Sequence, residues 1–205
     1  IELNAEQLSS VTEISEALDS YSCFLLDGIT GSGKTEVYMR VMQEQLAKGL
    51  QCLVLVPEIG LTPQTISRFQ RRFSCKVASL HSGLNETERL TAWKQARDGS
   101  AGIVIGTRSA VFTPLANPGL IVIDEEHDSS FKQQDGFRYS ARDLAVIRAR
   151  EENICIILGS ATPSLESLHN ARNKKFVHLQ LTQRAGSKQN CGMEIIDVAN
   201  ETLQE

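Results

Sequence analysis

Cys23-Phe24-Leu25-Leu26-Asp27-Gly28-Ile29-Thr30-Gly31-Ser32-Gly33-Lys34-Thr35 is the stretch on which the fold turns. A short apolar run, read as a strand over Cys23–Leu26, leads into a turn that matches G-x-x-x-x-G-K-[ST] from Gly28 to Thr35 without a mismatch. A helical pattern then runs from Lys34 to Leu46, with Gly49 as its stop. Strand, glycine loop and helix in that order aim successive main-chain N–H groups at phosphate oxygens. Gly28, Gly31 and Gly33 allow backbone angles that other residues resist, and Ile29, Thr30 and Ser32 complete the cradle. Lys34 would neutralise the outer phosphates of bound ATP, and the Thr35 hydroxyl would ligate Mg²⁺.

Outward from this loop, apolar runs alternate with amphipathic stretches. Strands are expected at Cys52–Val56, Val77–Leu80, Ile103–Ile105, Leu120–Ile123 and Ile154–Leu158, with two more near Phe176 and Glu194. Helices are expected at Leu3–Leu18, Leu61–Phe73, Asn85–Arg97 and Ala141–Arg150, with a short one after Pro163. Strands apolar on every side, separated by helices, imply a mostly parallel sheet covered on both faces, hence a doubly wound α/β class. The segment Asp128–Ser140 reads as an unusually long loop, a length that often carries function. Residues 1–182 read as one folded lobe, and residues 183–205 as a polar loop and a final strand leading toward a further domain.

Composition narrows the class. The chain has 205 residues, with 21 Lys+Arg against 25 Asp+Glu and a net charge of -4. That is enough chain for a sizeable core. No apolar run is long enough to span a bilayer, so no membrane partner is expected. A strongly basic nucleic-acid binder is excluded, so any such contact must be local. The five cysteines form no C-x-x-C pair, and Cys52 and Cys155 lie inside apolar runs, which suits buried thiols in a reducing compartment. The chain starts at Ile1 with neither a leader-like segment nor Met, so a piece of a longer chain is expected.

The strand Leu120–Ile123 ends in Asp124-Glu125-Glu126-His127. Carboxylates at the C-terminal edge of a buried strand stand where an α/β sheet places its site. Asp124 would hold Mg²⁺, and Glu125 would orient and deprotonate an attacking water.

These residues resemble the superfamily 2 DEEH-box DNA helicases. The resemblance is carried by the acidic tetrad, Pro57-Glu58-Ile59, Gly106-Thr107-Arg108-Ser109-Ala110-Val111-Phe112, Phe137-Arg138-Tyr139-Ser140-Ala141-Arg142-Asp143 and Gly159-Ser160-Ala161-Thr162-Pro163. It is strongest toward the bacterial replication-restart branch of that family and covers nearly the whole chain. It implies the first, RecA-like ATP-binding lobe of a 3′-to-5′ DNA helicase acting at stalled forks in primosome assembly. By the same resemblance, partners are single-stranded and branched DNA, single-stranded DNA-binding protein and other primosome proteins. Zinc would belong only to a part of the family's chain absent from this stretch, and the location would be the bacterial cytoplasm, with the nucleoid. An isolated lobe would hold nucleotide weakly and turn over little, because the family's arginine finger lies on a second lobe.

Several residues carry two readings. In the resemblance, Gln7 reads the adenine edge, but Asn4 with Gln7 is also a capping-box signature. His127, Ser160 and Thr162 either couple nucleotide state across the sheet edge or serve as ordinary hydrogen-bonding and capping groups. Thr107 and Arg108 suit phosphate contact, while Arg108 could equally be an exposed ion pair. Phe131, Lys132, Phe137, Arg138 and Tyr139 concentrate aromatics and cations, as single-strand stacking requires, unless the rings fold inward as a satellite core. Arg68, Arg71 and Arg72 either steer DNA or form a solvated face. Competing functions are another phosphate-loop NTPase, a kinase or a DNA translocase, and a nucleotide-gated DNA-binding module inactive in isolation.

Overall fold

The computed structural model describes residues 2–185. Nine strands and six helices are described in chain order: α1 Ala5–Glu16, β1 Cys23–Gly28, α2 Lys34–Ala47, β2 Gln51–Leu55, α3 Pro63–Arg72, β3 Val77–Leu80, α4 Glu86–Arg97, β4 Ile103–Gly106, β5 Pro118–Asp124, β6 Lys132–Gln133, β7 Tyr139–Ser140, α5 Ala141–Glu151, β8 Cys155–Ser160, α6 Leu165–Arg172 and β9 Val177–Leu181. Seven strands form one sheet in the order β3-β4-β2-β5-β8-β1-β9, and every described pairing in it is parallel. The expected strand near Glu194, most of the expected loop beyond Gln183 and Cys191 lie outside the described residues.

Alternation along the strands builds two cores. Leu120 and Val122 face one, with Val37, Val41 and Met42 of α2, Ile14 of α1 and Phe69 of α3. Ile121 and Ile123 face the other, with Ala92 and Ala96 of α4 and Ala141, Ala145 and Ala149 of α5. The three α5 alanines repeat every four residues, so one stripe of small side chains lies flat on the sheet. Cys23, Cys52 and Cys155 are buried free thiols, and burial pushes Cys155 up to about 12, far from thiolate reactivity.

Helix starts follow local chemistry. Asn4 and Asn85 cap α1 and α4 in reciprocal capping boxes with Gln7 and Glu88, and Thr62 caps α3 with Pro63 in its first turn. The structure corrects one expectation. Asp128–Ser140 is not an open loop: a 3-10 turn at Ser129–Phe131 leads into the antiparallel pair β6/β7, joined through Gly136 at φ 66°. Alternation over two residues per strand is too short to be seen in sequence.

Candidate nucleotide site and hairpin edge

Sheet order decides which loops meet. β5, β8 and β1 are neighbours, and Asp124 pairs with Gly159 while Leu26 pairs with the same Gly159 from the other side. The loops after β1 and β5 therefore flank Gly159–Ser160 at one sheet edge.

The phosphate loop has the expected form. Gly33 stands at φ 85° ahead of α2 and offers no side chain to cap it, so no side chain covers the helix N-terminus against an anion, although Glu36 N–H already closes on Gly33 O at 2.9 Å. A Cβ on Gly28 would come within 2.6 Å of Ser32 Oγ and 3.1 Å of Lys34 Cγ, so only glycine lets the loop close. Lys34 Nζ donates to Gly28 O at 2.8 Å. Ser32 Oγ is buried without a hydrogen-bond partner among the described residues. Ile29, Thr30 and Gly31 lie on the rim, and Thr35 is half-buried. Together these groups make a cradle that fits a polyphosphate.

Gln7 serves both its cap and this loop. Its Oε1 accepts from Asn4 N at 3.0 Å, and its Nε2 donates to Ser32 O at 2.8 Å. The amide thereby ties α1 to the phosphate cradle.

Across the edge, Asp124 Oδ1 accepts from Tyr38 Oη and from Glu125 N, each at 3.2 Å. Burial raises the Asp124 carboxyl above its ordinary range, the Glu125 charge adds to this, and Lys34 opposes it. Burial, and then Asp124, keep the Tyr38 phenol protonated and so a donor. A cleft of about 450 Å³ beside Thr35, Tyr38, Asp124, Glu125 and His127 opens here, with Arg68 on its wall.

Glu125 is left-handed, at φ 52°. A non-glycine residue there costs on the order of 1 kcal/mol or more and needs fixed neighbours. His127 Nδ1 lies 2.7 Å from Ser160 Oγ and 3.7 Å from Glu125 Oε2, and Ser160 Oγ also accepts from Thr162 N at 3.0 Å. His127, Ser160 and the Thr162 main chain are thus brought together, while the Thr162 side chain is exposed.

The hairpin edge is a surface by comparison. Phe137 is 77% exposed, and Tyr139 touches it at 6.0 Å between ring centroids. Phe112 meets Tyr139 edge-on at 5.0 Å. Lys132 and Arg138 are exposed beside them. Arg108 is neither free nor ion-paired with a carboxylate among the described residues. Its Nη1 donates to Ser130 O at 3.1 Å and Lys132 O at 3.2 Å, bracing the hairpin. Thr107 is buried on the wall of a groove of about 450 Å³, shared with His81, Arg89, Trp93, Arg108 and Tyr139. Phe131 is a correction to the expected stacking set. It is 1% exposed and packs in the core under α5, because the 3-10 turn folds its ring under the sheet end.

Arg68 and Arg71 line a cleft between α2 and α3, and Arg72 Nη2 reaches Glu36 Oε1 at 3.4 Å.

Sequence reasoning passed over Tyr38, Phe112 and Glu126. Tyr38 stands one helical turn after Lys34, a spacing that could have marked it. Phe112 closes the Gly106–Phe112 run but was given no role. Glu126 sits inside the acidic tetrad, yet its partners come from distant helices that no spacing rule connects.

The model of the DEAD/DEAH box helicase family matches residues 5–171. Replication restart protein PriA of Haemophilus influenzae is 54% identical over 184 residues, which is 90% of this chain and 25% of that protein. Replication restart protein PriA of Bacillus subtilis is 43% identical over 201 residues, or 97% of this chain and 25% of that one. The chain thus spans about a quarter of the length of these curated relatives. Among solved structures, RecG bound to a three-way DNA junction superimposes with a TM-score of 0.65 at 22% identity, covering 93% of this chain and 25% of that one. The DEAD-box helicase Mss116 bound to ssRNA and UDP-BeF gives 0.61 at 18% identity, covering 88% and 40%. These likenesses bear out the expected RecA-like α/β lobe with helices on both faces, and the chain belongs to the DEAD/DEAH box helicase family.

Proposed function

We propose that this chain is the ATP-binding and ATP-hydrolysing lobe of a 3′-to-5′ DNA helicase that unwinds DNA at stalled forks and supports primosome assembly during replication restart. The observation that carries the reading is the meeting of an uncapped, lysine-bearing helix N-terminus with Asp124 and Glu125 at one sheet edge.

Each residue has a task. The N–H groups ahead of α2 bind the phosphates, and Lys34 leaves the Gly28 carbonyl for a phosphate oxygen. Thr35 and Asp124 would hold Mg²⁺, which supplies charge to the phosphate oxygens when bound. Glu125 takes the proton of the attacking water. Gln7 stands beside the phosphate loop, bonded to Ser32 O, and is the residue proposed to read the adenine edge. His127, Ser160 and Thr162 pass the state of the site along the sheet edge. Phe137, Tyr139, Lys132 and Arg138 offer rings and cations to single-stranded DNA, with Thr107 and Arg108 behind them.

The relatives bear the name of replication restart proteins, which supports forked DNA, single-stranded DNA-binding protein and primosome proteins as partners in the bacterial cytoplasm. No described helix is long and apolar enough to cross a membrane. Zinc belongs to parts of the family outside this stretch. By the family resemblance the arginine finger lies on a second lobe, so this lobe alone is expected to turn over little.

The test compares ATP hydrolysis by residues 1–205 and by the full-length protein, each with and without single-stranded DNA. DNA-stimulated turnover is expected only in the longer chain. Equal turnover by both would overturn the division of labour.

A further inference from the structure

Glu126 stands next to the proposed base but has no part in the chemistry assigned above. Its side chain is completely buried, and a buried carboxylate persists only when it is fully satisfied. Here every donor is present. Oε2 accepts from Arg142 Nη1 at 3.2 Å, Ser164 Oγ at 3.1 Å and Ser167 Oγ at 2.9 Å, and Oε1 accepts from Ser164 N at 2.7 Å. Arg142 Nη1 also donates to Ser164 Oγ at 2.7 Å, closing the cluster. The Glu126 main chain is pinned too, with its N–H donating to Gly159 O at 2.9 Å.

The donors come from two informative places. Arg142 is the second residue of α5, immediately after the hairpin strand β7. Ser164 and Ser167 cap and open α6, just beyond Ser160–Thr162. One carboxylate therefore joins the hairpin exit, the start of α6 and the acidic box.

Glu125 lies between two fixed points. Asp124 ends β5, and Glu126 is held by main chain and side chain alike. The two fixed neighbours hold Glu125 in its left-handed conformation, which a non-glycine side chain adopts at a cost.

We propose that Glu126, held by Arg142 and Ser164, is a positioning residue that sets the direction of the Glu125 carboxylate and makes it depend on the placement of the aromatic hairpin. The inference rests on the reading of Glu125 as the base in a DNA-stimulated ATPase. DNA seated on Phe137 and Tyr139 pulls on β7, β7 leads directly into the start of α5 that holds Arg142, and among the described residues Arg142 carries the only positive charge that meets Glu126.

The test uses the full-length protein with Glu126→Gln and, separately, Arg142→Lys. Steady-state ATP hydrolysis is measured with and without a single-stranded oligonucleotide, beside ATP and DNA affinity and the melting temperature. The expected result is a DNA-stimulated kcat lower by roughly 10- to 100-fold, since small misplacements of a reacting group have effects of that size. KM for ATP and DNA affinity stay within about twofold, and the ratio of stimulated to basal turnover falls. A preserved ratio overturns the proposal, whether both rates drop equally or neither drops. If Glu126→Gln does not fold, Arg142→Lys decides alone, because it keeps the charge and loses the forked donor. Glu125→Gln in the same assay separates the two claims. Normal hydrolysis by that variant defeats the reading of the site itself, whatever the ratio shows.

Discussion

The nucleotide edge and the hairpin edge sit on the same sheet but are built differently. At the nucleotide edge the polar groups are locked to one another and to main chain: Lys34 to Gly28, Asp124 to Tyr38, His127 to Ser160. At the hairpin edge Phe112 and Phe137 are exposed and meet Tyr139, which packs against the core, while Arg108 and Lys132 tie the hairpin to its surroundings. The difference teaches where a mutation acts. A change at the first edge is expected to alter chemistry or folding, and a change at the second to alter binding while leaving the fold intact.

The hardest blow to this contrast is aimed at Glu125. Replacing it by Gln is expected to lower ATP hydrolysis in the full-length protein by about 10²- to 10⁴-fold, the usual worth of a positioned base. Nucleotide affinity, measured by fluorescence titration, should hold. Phe131→Ala comes next and should lower unfolding free energy by about 3–5 kcal/mol, because its ring is buried. Denaturant melts of residues 1–205 check this, and a loss confined to DNA binding would return Phe131 to the stacking set.

Phe137→Ala supplies the counterpart. It should weaken single-stranded DNA binding by about 1–3 kcal/mol, the worth of one stacking ring. The melting curve should not move, since the ring is exposed.

A subtler probe is Gly159→Ala. The added methyl would overlap the Tyr38 hydroxyl, so a loss of about 1–3 kcal/mol is expected. Tyr38→Phe in the same chain should restore part of it by removing the overlapping oxygen. Recovery is incomplete because the ring carbon stays 2.6 Å from the methyl, and a Gly159→Ala chain as stable as the parent would defeat the clash.

The smallest effect concerns pH. The Asp124 carboxyl is raised in the fold above its unfolded value of 3.8. The folded state therefore binds the proton more tightly, and stability falls as pH rises from the unfolded value through the folded one. Asp124→Asn should melt slightly higher than the parent at neutral pH and lose that advantage in acid, while hydrolysis is lost throughout. A parent that melts higher at neutral pH would contradict the burial of Asp124.

Much of this was legible in advance. The phosphate loop, the acidic box, Val77–Leu80 as a strand and the α/β class all follow from short-range patterns in which neighbouring residues carry the signal. For Gln7 the capping box was legible, and the structure adds a contact to the phosphate loop that no local pattern announced. Phe131 and Phe137 were not distinguishable, because two rings in one polar stretch look alike until a turn sends one inward. Arg108 read as a phosphate contact or a surface ion pair, and it proved to bond main-chain carbonyls that are remote in sequence.

The sequence by itself determined which residues could carry chemistry, because the phosphate loop and the carboxylates are written in consecutive positions. Only the tertiary structure decided which of them meet. The order β5-β8-β1 sets Gly159 between two loops and joins Glu126 to Arg142 and Ser164 across 16 and 38 residues of chain. Such contacts depend on how strands are ordered and helices packed, a choice made by burial over the whole sheet rather than by any local pattern.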